Sequence, residues 1–266
     1  MAVAELSVGQ QFDIGRVATR TFDVVRNNFV VFFGLGLIAS VPASLYRIVI
    51  ATITASAAQA GTNRVDPHTL SYYMLGAAAS GLVGAFLSLV LQAALTYGTI
   101  SYLNGHPVRF GRAFGVGLRQ FFPLLAIGFL EALGIGAGFL LLIVPGVMLF
   151  VMWSVVVPVR VAEEAGITAS FGRSRALTAG YRWPIFGTLA IYFIGAGIAQ
   201  AMTNPVVTAG ALSSSSAAAG YVTIVLTFIV TAIVSVVSAT LVSSIYYELR
   251  LIKEGVGPET IASVFD

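Results

Sequence analysis

The chain has 266 residues, 58% hydrophobic and only 9% charged, with a net charge of +3. A soluble domain is about one-quarter charged, so this inventory cannot build a water-facing surface, and the small, dispersed positive charge offers nucleic acid no patch. Cysteine is absent, which excludes disulfides, thiolate metal sites and cysteine nucleophiles.

The N-terminal stretch up to Asn28 is charged and lacks a continuous apolar core, which predicts no cleavable signal peptide. Within it Arg16, Arg20, Asp23 and Asn27 fall on one helical face, and Ile14, Val17, Val24 and Phe29 broadly on the other. That is the pattern of a basic amphipathic helix. Beyond it, a bilayer-crossing helix needs roughly 20 mainly apolar residues. Six segments qualify: Phe29–Ile53 with Pro42 in its interior, Tyr73–Leu103, Phe122–Val144, Val147–Ala162, Pro184–Val207 and Ala218–Leu249. Asn104-Gly105-His106-Pro107 reads as the turn that ends the long second helix, and Pro145-Gly146 as the turn between the third and fourth spans. The 122–162 hairpin reads either as two full crossings or as a re-entrant pair. Residues 55–71, with Asp66-Pro67-His68, and 208–217, with Ser213–Ser216, read as weakly specified connectors. The alternation of a membrane β-barrel is missing. The expected class is therefore all-α: a polytopic helical membrane protein with about six transmembrane helices plus cytoplasmic amphipathic interfacial helices.

Phe-Gly-Arg followed by ten residues and then Pro occurs at Phe110–Pro123 and again at Phe171–Pro184, with a looser copy around Ile14-Gly15-Arg16. Each copy is basic and runs into an apolar segment. In the second, Phe110, Ala113, Phe114, Gly117, Leu118 and Phe121 make one face, and Arg109, Arg112 and Arg119 the other. The repeat divides a single integral membrane domain, 1–266, into three interfacial-helix-plus-hairpin units, 1–105, 106–165 and 166–266. With the N-terminus placed in the cytoplasm, only Arg47 and Arg64 of the 14 basic residues fall on the far side, so both termini are expected to be cytoplasmic. The candidate contacts to anionic headgroups are Arg16, Arg20, Arg112, Arg119, Arg173, Arg175 and Arg182, each such cation contributing about 1 kcal/mol near an anionic leaflet.

Glu131, in Phe129-Leu130-Glu131-Ala132-Leu133, is the acidic residue set deepest in a predicted span, and an intramembrane carboxylate is a candidate polar site by default. Glu163-Glu164 beside Arg160, Arg173 and Arg175 predicts an ion-pair network at the membrane surface. Gly134 and Gly138 form a small-residue pair suited to close helix packing, chiefly within the chain. His68 and His106 lie in separate loops, and no Walker-type loop, HExxH or Gly-x-Ser-x-Gly occurs. No catalytic, cofactor-binding or metal-binding residue is expected, and no enzyme activity.

The stretch Val144-Pro145-Gly146 through Trp153, Pro158 and Glu163, then Ser170–Gly180 and Trp183, resembles the bacterial glycerophosphoryl diester phosphodiesterase membrane domain family. So do the opening Phe12–Asn28 and the ending Tyr246–Arg250, Lys253-Glu254-Gly255 and Val264-Phe265-Asp266. The resemblance implies a multi-pass protein of a bacterial inner membrane. In some members the membrane region is joined to a phosphodiesterase domain with a His/Glu/Asp metal site; these 266 residues hold no such cluster, so the activity is not carried over. The expected role is a non-enzymatic scaffold or accessory subunit that organises lipid or a partner membrane protein. The rival is a transporter or lipid-handling protein with a site between helices near Glu131.

Overall fold

A computed structural model describes residues 11–38, 40–41, 67–212 and 217–255. The described residues form helices and no strand, in the order α1 (Ile14–Asn27), α2 (Phe29–Ile38), α3 (Pro67–Leu103), α4 (Phe110–Leu141), α5 (Ile143–Trp153), α6 (Val156–Glu163), α7 (Ile167–Thr178), α8 (Arg182–Leu212) and α9 (Ala217–Glu254). Five stretches are long and apolar enough to cross a bilayer: Met74–Leu103, Phe110–Leu141, Ile143–Glu163, Arg182–Met202 and Phe228–Glu254. A sixth is added if α1 and α2, bent by 88° at Asn28, count as one. The chain is an all-α polytopic helical protein. Of the first predicted span, 42–53 lies outside the described residues, as do Arg47, Arg64 and 55–66 of the first connector.

Prolines explain where helices break. A proline lacks an N–H and its ring collides with the carbonyl four residues back. For Pro145 that carbonyl is Leu141, the last residue of α4, so the α4–α5 reversal falls at Leu142 and not at Pro145-Gly146. Pro145 sits instead in the first turn of α5, where its missing donor is harmless. For Pro158 it is Ser154, where α5 gives way to α6. Pro67 and Pro184 likewise occupy first turns, of α3 and α8. The helices reach into both predicted connectors, α3 beginning at Pro67 and α8 running on to Leu212; Ser213–Ser216 lies outside the described residues. Pro123 and Pro205 are exceptions, lying inside α4 and α8 without ending them. Because α4 runs through Pro123, the second basic stretch is continuous with its span and is not a separate interfacial helix.

The chain divides into two compact units. The first contains α1, the start of α2, α3 from Leu89, α4 to α7, α8 to Tyr192 and α9 from Val236. Its core joins Val17 of α1, Val151, Val155 and Val159 of the α5–α6 region, Leu177 of α7, Ile185 and Leu189 of α8, and Leu241, Ile245 and Leu249 of α9. A second cluster packs Ala93, Leu124, Ile127, Val156 and Val161 under Trp153 and Phe171. Each buried aliphatic side chain of this size contributes about 1.5–3 kcal/mol when it leaves water. Gly134 and Gly138 serve the α4–α5 hairpin: a Cβ on Gly134 would overlap the Trp153 ring, and one on Gly138 would stand 2.9 Å from the Gly146 Cα. The remaining lengths of α2, α3, α8 and α9 make the second unit, where Leu82, Ile194 and Met202 are exposed as hydrocarbon-facing residues are.

Candidate basic interface

Asp13 starts α1 by accepting the Gly15 N–H at 2.7 Å, the usual N-cap bond. Val17, Thr21 and Val24 then face inward, which turns Arg16 and Arg20, one helical turn apart, along one side. Both guanidiniums converge on Glu248 of α9. Arg16 donates to Oε1 from Nε at 2.9 Å and from Nη2 at 2.7 Å, and Arg20 pairs with Oε2. The Glu248 side chain is only 2% exposed, against 38% and 27% for the two arginines. Arg20 also lies over the Tyr247 ring. Two of the seven nominated arginines thus close on a buried carboxylate.

A second cluster forms at the end of α9. Arg173 of α7 donates to Glu163 of α6 at 3.0 Å and pairs with Glu254 of α9. Tyr246 donates its hydroxyl to Glu163 at 2.8 Å, and Arg250 reaches Glu254 at 3.0 Å. Lys253 donates to the Ala179 carbonyl at 2.9 Å, at the end of α7. The hydrogen bond to Glu163 raises the Arg173 guanidinium above the ordinary arginine value, against the opposing effect of burial, with Glu254 adding to it. Of the network expected around Glu163-Glu164, the Arg173–Glu163 pair is present; Arg160, Arg175 and Glu164 make no ion pair among the described residues, and Tyr246, Arg250 and Glu254 of α9 take part instead.

Arg160 closes the α6–α7 reversal. Glu164 takes a left-handed conformation, φ 51°, and Arg160 donates to its carbonyl at 2.9 Å and to that of Ala165, covering orphan acceptors at a helix C-terminus. Its Nε also reaches Gln120 of α4 at 3.1 Å. Ser174 and Thr178 of α7 donate to the Met152 carbonyl, left free by the α5–α6 break, at 2.8 and 3.3 Å.

The other nominated arginines are placed differently. Arg112, Arg119 and Arg175 are exposed and make no ion pair among the described residues. Arg182, in the first turn of α8, has its Nε buried without an acceptor among the described residues. It borders a groove of about 680 Å³, otherwise lined by apolar side chains such as Val144, Met148, Val151, Trp183 and Phe186. A smaller cavity of about 400 Å³ lies where α3 ends and α4 begins, with Arg109, Arg112 and His106 on its wall.

Glu131 lies within α4, partly exposed, with no hydrogen bond to its carboxylate among the described residues. It lines neither cavity. Sequence reasoning missed Glu248, Glu254 and Tyr246 as site residues. Their signal was available: acidic side chains near the end of a long apolar helix require partners, and Arg16 and Arg20 at one-turn spacing offered a pair. No family model, curated protein or solved structure matches the chain.

Proposed function

We propose that this protein is a non-enzymatic integral membrane protein that binds anionic phospholipid along its arginine-bearing end, and so serves as a scaffold or accessory subunit for lipid or a partner membrane protein. The observation that carries this reading is Arg182 beside its groove. A buried guanidinium N–H with no acceptor is costly, about 1–3 kcal/mol or more for a charged donor. A phosphodiester headgroup would supply that acceptor while its acyl chains lie against Val144, Met148 and Phe186. Trp183, 83% exposed, suits the headgroup level, where amphipathic rings collect. Arg119 and Arg175 add unpaired charge for the same leaflet.

A bacterial inner membrane, cytoplasmic termini, three hairpin units and kinship with the glycerophosphoryl diester phosphodiesterase membrane domains belong to the same proposal. The orientation rests on the arginine distribution, the three units on the repeated motif, and the kinship with its bacterial inner membrane on the resemblance carried by Phe12–Asn28, Val144–Trp183 and the C-terminal Tyr246–Asp266 residues. The test is replacement of Arg119, Arg175 and Arg182 together by Gln in the full chain, reconstituted in nanodiscs of mixed phosphatidylglycerol and phosphatidylcholine. Wild-type protein should enrich phosphatidylglycerol around itself and the variant should not. Equal enrichment by both would remove the lipid-organising role.

A further inference from the structure

The cavity at the α3–α4 junction has a different construction from the Arg182 groove. α3 ends in a tight reversal in which Gly105, φ +76°, donates its N–H to the Tyr102 carbonyl at 2.9 Å, and His106 donates to Ser101 at 2.9 Å. This is the Schellman arrangement, which needs a residue free to take positive φ. It leaves Tyr97 and Ser101 of α3 and Asn104 just beyond its last residue, all at helical spacing, lining one wall. Arg109 and Arg112, at the N-cap and in the first turn of α4, line the same space, joined by His106 from the turn. No side chain caps the start of α4. Neither guanidinium has an ion-pair partner among the described residues, whereas Arg16, Arg20 and Arg173 all have carboxylates.

We propose that this cavity binds one phosphate-type anion, held by Arg109 and Arg112 with Ser101, Asn104 and His106 as further donors. The chemistry fits on three counts. Guanidiniums match phosphate oxygens with paired, charge-assisted hydrogen bonds. A hydroxyl, an amide and an imidazole add directional donors. A volume of about 400 Å³ admits a phosphate with a small substituent, and the chemistry is the same whether the phosphate is free in solution or the headgroup of a lipid. The site is a single-anion pocket separate from the groove at Arg182, and it stands without the lipid-organising reading.

The experiment uses the full chain with two probes: inorganic phosphate titrated calorimetrically in detergent, and one-to-one retention of phosphatidylglycerol from mixed nanodiscs by native mass spectrometry. Phosphate binding identifies a soluble anion as a sufficient ligand; retention of phosphatidylglycerol alone identifies a headgroup. In either case Arg109→Gln with Arg112→Gln should weaken binding about 10-fold or more. Arg112→Lys should retain part of it, and Arg119→Gln with Arg175→Gln should leave it intact. Both cavity arginines are exposed, so the melting temperature should stay the same; if the double variant fails to fold, Arg112→Gln alone carries the comparison. Binding of neither probe, or equal weakening by the Arg119 and Arg175 replacements, overturns the proposal.

Discussion

Arg20 and Glu248 are separated by 228 positions in sequence, yet they pair across the junction of α1 and α9, with Arg16 on the other carboxylate oxygen. The partners are unequal in burial, and that sets the expected energetics. Removing both arginines strands a buried carboxylate, a change that costs about 3–5 kcal/mol. Removing Glu248 leaves two cations that can turn to water, for about 1–3 kcal/mol. Thermal unfolding in detergent should therefore rank the Arg16→Ala/Arg20→Ala protein below Glu248→Ala. The reverse order would mean that Glu248 is not buried among these helices.

Arg173 bridges carboxylates from two different helices, and a lysine cannot reproduce that fork. Arg173→Lys is expected to lose about 1–2 kcal/mol, held down by the partial exposure of all three groups. A double-mutant cycle between Arg173→Lys and Glu163→Gln should show a coupling of about 0.5–1 kcal/mol. Strict additivity would place the two side chains out of contact.

Two glycines of one helix give a contrast of sign. A Cβ on Gly136 meets nothing within 4 Å, whereas one on Gly138 would approach Gly146 Cα at 2.9 Å and Leu149 Cδ1 at 3.0 Å. Gly136→Ala should be neutral or stabilising by up to about 1 kcal/mol, and Gly138→Ala destabilising by about 1–3 kcal/mol. Melting curves of the two proteins check this directly. Equal shifts would contradict the α4–α5 packing.

The chain contains no cysteine, so introduced cysteines report topology without background. Ala18, Gly111 and Ala169 are exposed, each in or beside a basic stretch. Placed one at a time as cysteine, all three should react with a membrane-impermeant maleimide from the cytoplasmic face and not from outside. Labelling of Gly111→Cys and Ala18→Cys from opposite faces would break the arginine-based orientation.

Much of the helical framework was legible because hydrocarbon imposes long apolar runs, and five of the stretches read from sequence match spans in the structure to within a few residues at most ends. Breaks were less legible, since proline acts on the carbonyl four residues earlier and moves the reversal from Pro145 back to Leu142. The repeat misled in one respect. Phe110-Gly111-Arg112 and Phe171-Gly172-Arg173 have the same text but different fates. Gly180, φ +89°, separates the second copy from α8, while nothing comparable interrupts α4 before Pro123. Glu163 and Glu254 then capture Arg173, but no carboxylate reaches Arg112 among the described residues. Partners recruited from α9 are invisible to local periodicity, so the arginines nominated together divide into paired and unpaired sets only once the helices are packed.

The central claim concerns the Nε of Arg182 and the apolar groove beside it. Full-length wild-type protein and Arg182→Gln, released from membranes in mild detergent, should be compared by native mass spectrometry for bound phospholipid. The account predicts one more bound anionic phospholipid on the wild type than on the variant, with both proteins equally folded. Equal numbers on the two proteins would contradict it.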